Sequence, residues 1–251
     1  MTPEEIRDRD CVWAEVAARF PQFTHAHDPA DNYHAVREIV LSGSVTWAAA
    51  NGYFKPWPGK WVLDIGANAG IYSAFCAIHG ARVVAYEPFQ QVYSLLVKMV
   101  DEIPNGDLIT PINAAVWTFT GNIPYIGHKV INTDVTCYNG GVPTNGVRWT
   151  DDDFNNAVEV RCVSLDDAIG DRTWDCVKID IEGAEYEMLL AASPEKLKQI
   201  KFCYLEFHHW TGSDPSLYAR TIEKLESIFK CSYYLARGSE GPYEAAYLWR
   251  K

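Results

Sequence analysis

A lysine and two carboxylates alternate with apolar residues in the stretch Trp174–Glu185, which reads WDCVKIDIEGAE. The apolar residues predict a buried strand, and its period-two alternation places Lys178, Asp180 and Glu182 on one face. Buried strands of open parallel sheets carry their polar residues at the carboxyl end, where ligands bind. The stretch therefore predicts two carboxylates and an ammonium group at the mouth of a site, although a charge pair at a strand end would give the same pattern.

A glycine turn follows another apolar strand in the stretch Trp61–Gly70. Gly66 and Gly70 bracket a tight turn that opens a helix, which brings backbone N–H groups close to a ligand. The dinucleotide fingerprint G-x-G-x-x-G is not met, because Asn68 stands at its middle glycine and the last glycine comes one residue early. Asp64 would repel a pyrophosphate but suits a ligand that carries an ammonium and a sulfonium group, such as S-adenosylmethionine (SAM). A turn-capping carboxylate is the structural alternative for Asp64.

The next two strands end in residues suited to an adenosine. Glu87 follows the strand pattern Ala81–Tyr86, about twenty residues beyond the glycine turn, where an acid can accept both ribose hydroxyls. NAD enzymes and SAM enzymes share this feature, so Glu87 indicates an adenosine ligand without choosing between them. Asn113 ends a third strand and can bond the adenine edge or cap a turn.

Together these motifs resemble those of the FkbM-type SAM-dependent methyltransferases, which are class I Rossmann-like enzymes. The resemblance spans roughly residues 60–210, and its most specific part is Lys178–Glu185. It implies an α/β fold with a mostly parallel sheet, helices on both faces and a C-terminal antiparallel hairpin. It also implies SAM as methyl donor and, typically, O-methylation of a hydroxyl on a sugar or natural product. The implied cofactor-binding residues are Asp64, Gly66, Asn68, Gly70, Glu87, Asn113 and Ala114.

The acceptor side needs a group that takes the proton of the hydroxyl. Glu206 and His208 share one face of the predicted strand Lys201–Trp210, which we expect beside the strand of Asp180. We assign His208, with a near-neutral pKa, as the first candidate base and Asp180 as the second, with Glu182 lining the same side. A competing hypothesis is that Asp180, Glu182 and a histidine hold a divalent metal; packing of the strand end is the structural alternative. We assign no residue as a metal ligand on the sequence alone.

Two other functions fit parts of the pattern. An NAD-dependent oxidoreductase is the alternative enzyme, but the missing middle glycine and Asp64 count against it. A non-catalytic methyltransferase-like binding module is the alternative outside catalysis, and the intact glycines and acidic residues count against that.

The composition of this chain limits the classes of partner that it is expected to bind. Its 251 residues are 48% hydrophobic, which is enough for a large core, and no apolar run reaches the length of a membrane span. A net charge of −11 argues against nucleic acid or an anionic membrane as partner. The seven cysteines are scattered without a C-x-x-C pair, which is typical of reduced thiols in a cytoplasmic protein. We therefore expect a cytoplasmic enzyme with a small-molecule or glycan acceptor, and a homo-oligomer is an open alternative to a monomer.

Two segments outside the motifs are expected to shape the acceptor site. Residues 1–58 show helical periodicity and predict an N-terminal helical lid on a methyltransferase domain at 59–251. Residues 118–158 mix glycine, asparagine, threonine and proline with short β-prone pieces, which predicts an inserted hairpin or flap. A hairpin without a role in binding, or a dimer contact, is the alternative for that insertion.

Overall fold

The computed structural model describes residues 58–132, 135–141, 157–208, 214–238 and 241–250. The expected N-terminal lid lies outside these ranges except for Pro58, and part of the expected flap lies outside them as well. Within the described ranges, no helix is both long enough and apolar enough to cross a membrane.

Strands and helices alternate along part of the described chain. The strands are β1 (Trp61–Ile65), β2 (Arg82–Tyr86), β3 (Ile109–Ile112), β4 (Ala115–Trp117), β5 (Gly121–Asn132), β6 (Val135–Gly141), β7 (Val158–Ser164), β8 (Cys176–Ile179), β9 (Phe202–His208), β10 (Phe229–Gly238) and β11 (Gly241–Arg250). The α-helices are α1 (Ile71–Ile78), α2 (Gln90–Glu102), α3 (Leu165–Ile169), α4 (Glu185–Ala191), α5 (Pro194–Leu197) and α6 (Pro215–Ile228), and a 3₁₀ turn spans Gly106–Leu108. Strands β1, β2, β8 and β9 are each followed by a helix, as a doubly wound fold requires, whereas β3 to β7 follow one another without a helix between them among the described residues.

The main sheet has seven strands in the order β3-β2-β1-β8-β9-β11-β10. Strands β3, β2, β1, β8 and β9 are parallel, whereas β11 runs antiparallel to both β9 and β10. This order confirms the expected mostly parallel Rossmann-like sheet with a C-terminal antiparallel hairpin. The chain runs outward from β1 to β3 and then resumes at β8, on the other side of β1. The gap between the carboxyl ends of β1 and β8 is therefore the switch point at which ligands bind in such sheets.

Helices cover both faces of this sheet because its buried strands are apolar on both sides. One face packs against α1 and α2 through side chains such as Phe75 and Leu96. The opposite face packs against α3, α4 and α6, with Leu189 and Leu225 fully buried there. The two cores hold β1 and β8 rigidly side by side, which fixes the position of the loops that follow them.

A smaller four-stranded sheet, in the order β4-β7-β5-β6, lies between β3 and β8 in the chain. Its β5–β6 pair is an antiparallel hairpin within residues 118–158, where the sequence predicts one. Strand β5 also pairs with β7, which leads directly into α3. The hairpin is therefore attached to the main fold through β7, and its role as an acceptor-binding flap stays a prediction.

Candidate active site

The turn after β1 meets the turn after β8 at a single glycine. Gly66 has a φ of 78°, and a Cβ atom there would lie 1.8 Å from the carbonyl oxygen of Asp180. The N–H groups of Gly66 and Ala67 donate to the carbonyl oxygen of Tyr86 at 3.1 and 2.9 Å. Only glycine combines this backbone conformation with so close an approach. The turn Gly66–Gly70, called the glycine turn below, is thus fixed between β2 and β8.

Glu87 is buried at the end of β2, directly beside the glycine turn. Its Oε2 accepts a hydrogen bond from the N–H of Asn68 at 3.0 Å, and its Oε1 accepts one from the N–H of Phe89 at 2.9 Å. Asn68 adopts a φ of 52°, which turns its N–H toward the carboxylate. Burial raises the pKa of Glu87 to about 7, although the two N–H groups act in the opposite direction. The structure therefore places a buried carboxyl group where the sequence predicts ribose binding.

Gly70 ends the glycine turn and serves as the N-cap of α1, with a φ of 90°. A Cβ atom at this position would lie 2.2 Å from Cε of Met99 and 2.5 Å from Cδ1 of Leu96. The glycine therefore allows α2 to pack closely against the start of α1. Its part in cofactor binding stays a prediction.

Asn113 and Ala114 follow β3 and support the turn that holds Glu87. The Nδ2 atom of Asn113 donates to the carbonyl oxygens of Glu87 and Pro88 at 2.9 and 3.0 Å. Ala114 is fully buried. Of the two roles open to Asn113 from the sequence, its amide nitrogen performs turn capping here, and contact with adenine stays a prediction.

Asp64 is fully buried behind the glycine turn. Its Oδ2 accepts a hydrogen bond from Oγ of Ser73 at 2.6 Å, and its Oδ1 has no hydrogen-bond partner in the described part of the chain. A cation lies close to this oxygen, because Nζ of Lys178 is 3.8 Å from Oδ1. Burial raises the pKa of Asp64, and Lys178 opposes that shift. The structure thus adds an internal ammonium partner to the ligand ammonium that the sequence predicts.

Lys178 links the two sides of the switch point, a role that the sequence did not reveal. Its Nζ lies 3.1 Å from Oδ2 of Asp180 and donates to the carbonyl oxygen of Gly66 at 3.2 Å. Burial alone would lower the pKa of Lys178, but the charges of Asp180 and Asp64 outweigh it and raise this pKa. Burial would likewise raise the pKa of Asp180, whereas Lys178 and then His208 lower it. Lys178 and Asp180 therefore form a charged pair at neutral pH.

Glu182 reaches the site from a turn and not from a strand face. The sequence predicts that the strand alternation continues to Glu182, but β8 ends at Ile179, so that prediction is wrong. The N–H of Asp180 donates to the carbonyl oxygen of Ile65 at 3.1 Å, and the chain then leaves the sheet. Glu182 adopts a φ of 57° and Gly183 one of 101°, which forms a tight turn before α4.

His208 ends β9 and lies beside the carboxylates of the β8 turn, as the predicted pairing of these two strands requires. Its Nε2 lies 3.9 Å from Oδ1 of Asp180 and 3.8 Å from Oε2 of Glu182. The side chain is 11% exposed. The structure therefore brings together all three residues that the sequence assigns to the acceptor side.

Glu185 is a further member of this group, and the sequence assigned it no role. It is the first residue of α4, is fully buried, and its Oε1 lies 2.9 Å from Nδ1 of His208. The same oxygen accepts hydrogen bonds from the N–H groups of Ile181 and Gly183 at 3.2 and 3.1 Å. An acidic residue in the first helical turn after a glycine was the available signal, because helix N-termini favour negative charge.

The carboxylates around His208 change its protonation. Burial would lower the pKa of His208, but Glu185, then Glu182 and Asp180, raise it to about 10. In this arrangement the ring is therefore an imidazolium at neutral pH. A protonated ring cannot accept a proton, so the near-neutral pKa expected for a general base does not hold here.

Glu206 lies on the same face of β9 as His208 and has the pKa that a base requires. The hydroxyl of Tyr204 donates to its Oε1. Burial, followed by the charge of Asp180, raises the pKa of Glu206 to about 7. A carboxyl group with this pKa is able to accept a proton near neutral pH. Below, the charged cluster denotes Lys178, Asp180, Glu182, Glu185, Glu206 and His208.

The two sides of the switch point suit different chemistry. The glycine turn and Glu87 offer backbone N–H groups and a buried carboxyl to an adenosine, and Oδ1 of Asp64 is a buried acceptor without a donor among the described residues. These features fit SAM, whose ribose and ammonium groups are donors. On the other side, Asp180, Glu182 and His208 each offer one ligand atom, all within 4.8 Å of one another, which is close enough to hold one metal ion.

Several known proteins are similar to this chain. Methyltransferase sdnD from Sordaria araneosa is 24% identical over 186 residues, which cover 65% of this chain and 72% of that protein. An rRNA methylase from Streptococcus thermophilus is 9% identical, with a TM-score of 0.48, over 84% of this chain and 100% of its own. An O-methyltransferase from Bacillus cereus, in complex with SAH, is 11% identical, with a TM-score of 0.45, over 87% of this chain and 96% of its own.

The family model gives the decisive match. The model described as the methyltransferase FkbM domain matches residues 64–234. The matched range contains both the glycine turn and the charged cluster. The chain therefore belongs to the FkbM methyltransferase family.

Proposed function

We propose that this protein is a SAM-dependent methyltransferase that methylates a hydroxyl group of a sugar, a glycan or a small natural product. The observation that carries the proposal is the switch point itself. A buried carboxyl group at the glycine turn lies on one side, and a cluster with proton-accepting carboxylates lies on the other. Membership in the FkbM family supports methyl transfer, and the cluster supports an oxygen nucleophile.

On the cofactor side, the chain supplies binding and orientation. Glu87 accepts the ribose hydroxyls, the glycine turn brings its N–H groups close, and Asp64 places a negative charge near the ammonium. SAM itself supplies a methyl group on a sulfonium, which is already activated for transfer. Positioning the two reactants is therefore the main demand on the protein.

On the acceptor side, the chain must orient a hydroxyl and take up its proton. We assign Asp180, Glu182 and His208 as the residues that contact the acceptor. Glu206 takes the place of His208 as the candidate proton acceptor, because its pKa lies near neutral. A hydroxyl acceptor fits this assignment, because its proton must leave before or during methyl transfer.

The first test is cofactor binding, measured by calorimetry and by thermal unfolding with S-adenosylhomocysteine (SAH) and with NAD. SAH at about a hundred times its dissociation constant should stabilise the protein by about 2.7 kcal/mol. Asp64→Ala and Glu87→Ala should lose this stabilisation, and Glu102→Gln, on the exposed side of α2, should keep it. Stabilisation by NAD alone would overturn the proposal in favour of an oxidoreductase.

The second test is transfer of a labelled methyl group from SAM to panels of sugars and of hydroxylated natural products. Label in an ether product that resists mild base would establish O-methylation of a hydroxyl. Label that mild base releases would point to a carboxyl acceptor. SAH binding without transfer to any panel member would favour a binding module.

We propose that this enzyme resides in the cytoplasm. Among the described residues, five cysteines are free thiols: Cys76, Cys162, Cys176, Cys203 and Cys231. Free thiols support a reducing environment. Four of these thiols are buried, so maleimide labelling of the protein unfolded immediately after cell lysis tests whether they are reduced in the cell.

A further inference from the structure

Side chains from two neighbouring strands converge on one point at the acceptor side of the site. Oδ1 of Asp180 and Oε2 of Glu182 both face Nε2 of His208, at 3.9 and 3.8 Å. Atoms that bind one cation at about 2.1 Å lie about 3 Å apart when they meet at right angles. The two distances to Nε2 exceed this spacing by less than about 1 Å, and all three atoms lie within 4.8 Å of one another.

The orientation of His208 is fixed from behind. Glu185 contacts Nδ1 at 2.9 Å, and two backbone N–H groups hold that carboxylate in place. A carboxylate on one ring nitrogen directs the other nitrogen outward and raises its basicity, which is how metal-binding histidines are usually supported. Glu185 is not itself one of the three converging groups, so it is an independent observation on the same ring.

Negative charge exceeds positive charge around this point. Within the charged cluster the carboxylates outnumber the cations, and Asp64 adds another buried carboxylate next to it. Lys178 contacts Oδ2 of Asp180, which leaves Oδ1 directed toward His208. Buried carboxylates without enough positive charge are costly, and a bound cation removes that cost.

We propose that Asp180, Glu182 and His208 bind one divalent cation of the Mg²⁺ or Mn²⁺ type, with Glu185 as the positioning residue of His208. Two carboxylate oxygens and one imidazole nitrogen can bind Mn²⁺ together once His208 releases its Nε2 proton, because metal ligands must be deprotonated. Its role rests on the proposed function: the cation binds the acceptor hydroxyl and lowers the pKa of that hydroxyl. The expected acceptor is then one whose hydroxyl has a second oxygen next to it, as in a vicinal diol, because two oxygens can share the ion.

The test is direct binding of Mn²⁺ to chelator-treated protein, followed by electron paramagnetic resonance of the free ion, with SAH present and absent. The wild-type protein should bind one Mn²⁺ per chain. Glu182→Gln and His208→Gln should weaken binding at least about tenfold, and Glu185→Gln should weaken it about 10- to 100-fold. Glu195→Gln, an exposed carboxylate on α5, is the matched control and should bind as the wild type does.

SAH affinity, measured on every variant, separates the possible failures. Variants that keep wild-type SAH affinity are folded, so their loss of Mn²⁺ reports on the metal site alone. Wild-type protein that binds SAH but no Mn²⁺ up to about 1 mM would overturn the metal site and leave the proposed function standing. Wild-type Mn²⁺ affinity in both Glu182→Gln and His208→Gln would also overturn it. Protein that binds Mn²⁺ but no SAH would refute the proposed function and not the metal site.

Discussion

Nδ1 of His208 lies 2.9 Å from Oε1 of Glu185, a carboxylate that is fully buried at the first position of α4. The contact joins the end of β9 to the start of the helix that follows β8. It holds the imidazole with its second nitrogen toward Asp180 and Glu182. This contact therefore orients the ring, and Glu185 makes the largest contribution to its raised pKa.

The first prediction concerns the charge of His208 in chelator-treated protein. Its pKa is raised from 6.5 to about 10, so nuclear magnetic resonance of the ring nitrogens should show an imidazolium at pH 8. Glu185→Gln removes the largest favourable charge and should move the titration toward the ordinary value. A neutral ring at pH 8 in the wild-type protein would contradict this prediction.

The same shift has a defined effect on stability. A histidine whose pKa is higher in the folded than in the unfolded state stabilises the fold fully below the unfolded value. The stabilisation from His208 should therefore be complete below pH 6.5 and be lost as the pH rises toward about 10. Urea unfolding of wild type and Glu185→Gln across this range checks the sign, because the variant should lose less stability with rising pH.

The second prediction is that SAH affinity rises with pH through the pKa of Glu87. Burial holds this pKa at about 7, and the ionised carboxylate is the better acceptor for ribose hydroxyls. Calorimetric titrations between pH 6 and 8 should show weaker binding on the acid side. Glu87→Gln should bind SAH more weakly, and its affinity should not follow the same curve. Equal slopes in both proteins would remove Glu87 as the source.

Without ligand, the contribution of Glu87 to folding stability should instead decrease as the pH rises. Its pKa is higher in the folded protein than the ordinary 4.5, so its contribution to stability is full below pH 4.5 and is lost as the pH rises through about 7. SAH thus favours the ionised form of Glu87, whereas a low pH favours the protonated form. The stabilisation that SAH provides should accordingly grow between pH 6 and 8.

A third prediction compares two glycines that both have positive φ values. At Gly59, with a φ of 85°, an added Cβ atom would meet no atom of the described residues within 4 Å, whereas at Gly66 it would lie 1.8 Å from the carbonyl oxygen of Asp180. Gly59→Ala should cost about 1–2 kcal/mol through backbone strain alone. Gly66→Ala adds a backbone clash and should cost at least about 3 kcal/mol and abolish SAH binding. Similar unfolding energies for the two variants would show that the β1 and β8 turns separate easily.

A fourth prediction addresses the buried lysine. Lys178→Met leaves Asp64 and Asp180 without their cation and should destabilise the protein by about 3–5 kcal/mol. The double variant Lys178→Met with Asp64→Asn removes one of the stranded charges and should recover part of that loss. Chemical unfolding of the two single variants and the double variant gives the coupling energy between these residues. A coupling energy near zero would mean that Asp64 and Lys178 do not interact.

Features that depend on local sequence could be predicted. The apolar strands, the glycine turn and the acid after β2 all lie within short stretches, and the alternation of strands and helices then implies the parallel sheet. The neighbouring positions of His208 and Asp180 followed because consecutive parallel strands are commonly adjacent.

Features that depend on tertiary contacts could not be predicted from the sequence. Lys178 and Asp64 meet only because β1 and β8 are paired across more than a hundred residues of chain. The bond between Glu185 and His208 depends on side-chain directions at two element ends. At Glu182 the period-two pattern continued past the true end of the strand, since alternation in the sequence does not report where the sheet hydrogen bonds stop.

The placement of β11 has a consequence for protein synthesis. This strand follows β10 in the chain but lies between β9 and β10 in the sheet. Until β11 has left the ribosome, one edge of β9 stays unpaired. The backbone of His208 lies on that edge and pairs with Tyr243 only in the complete sheet. Exposed strand edges recruit other chains, so a nascent protein halted before β11 should depend on chaperones and be prone to aggregate. The acceptor side of the site is therefore completed last.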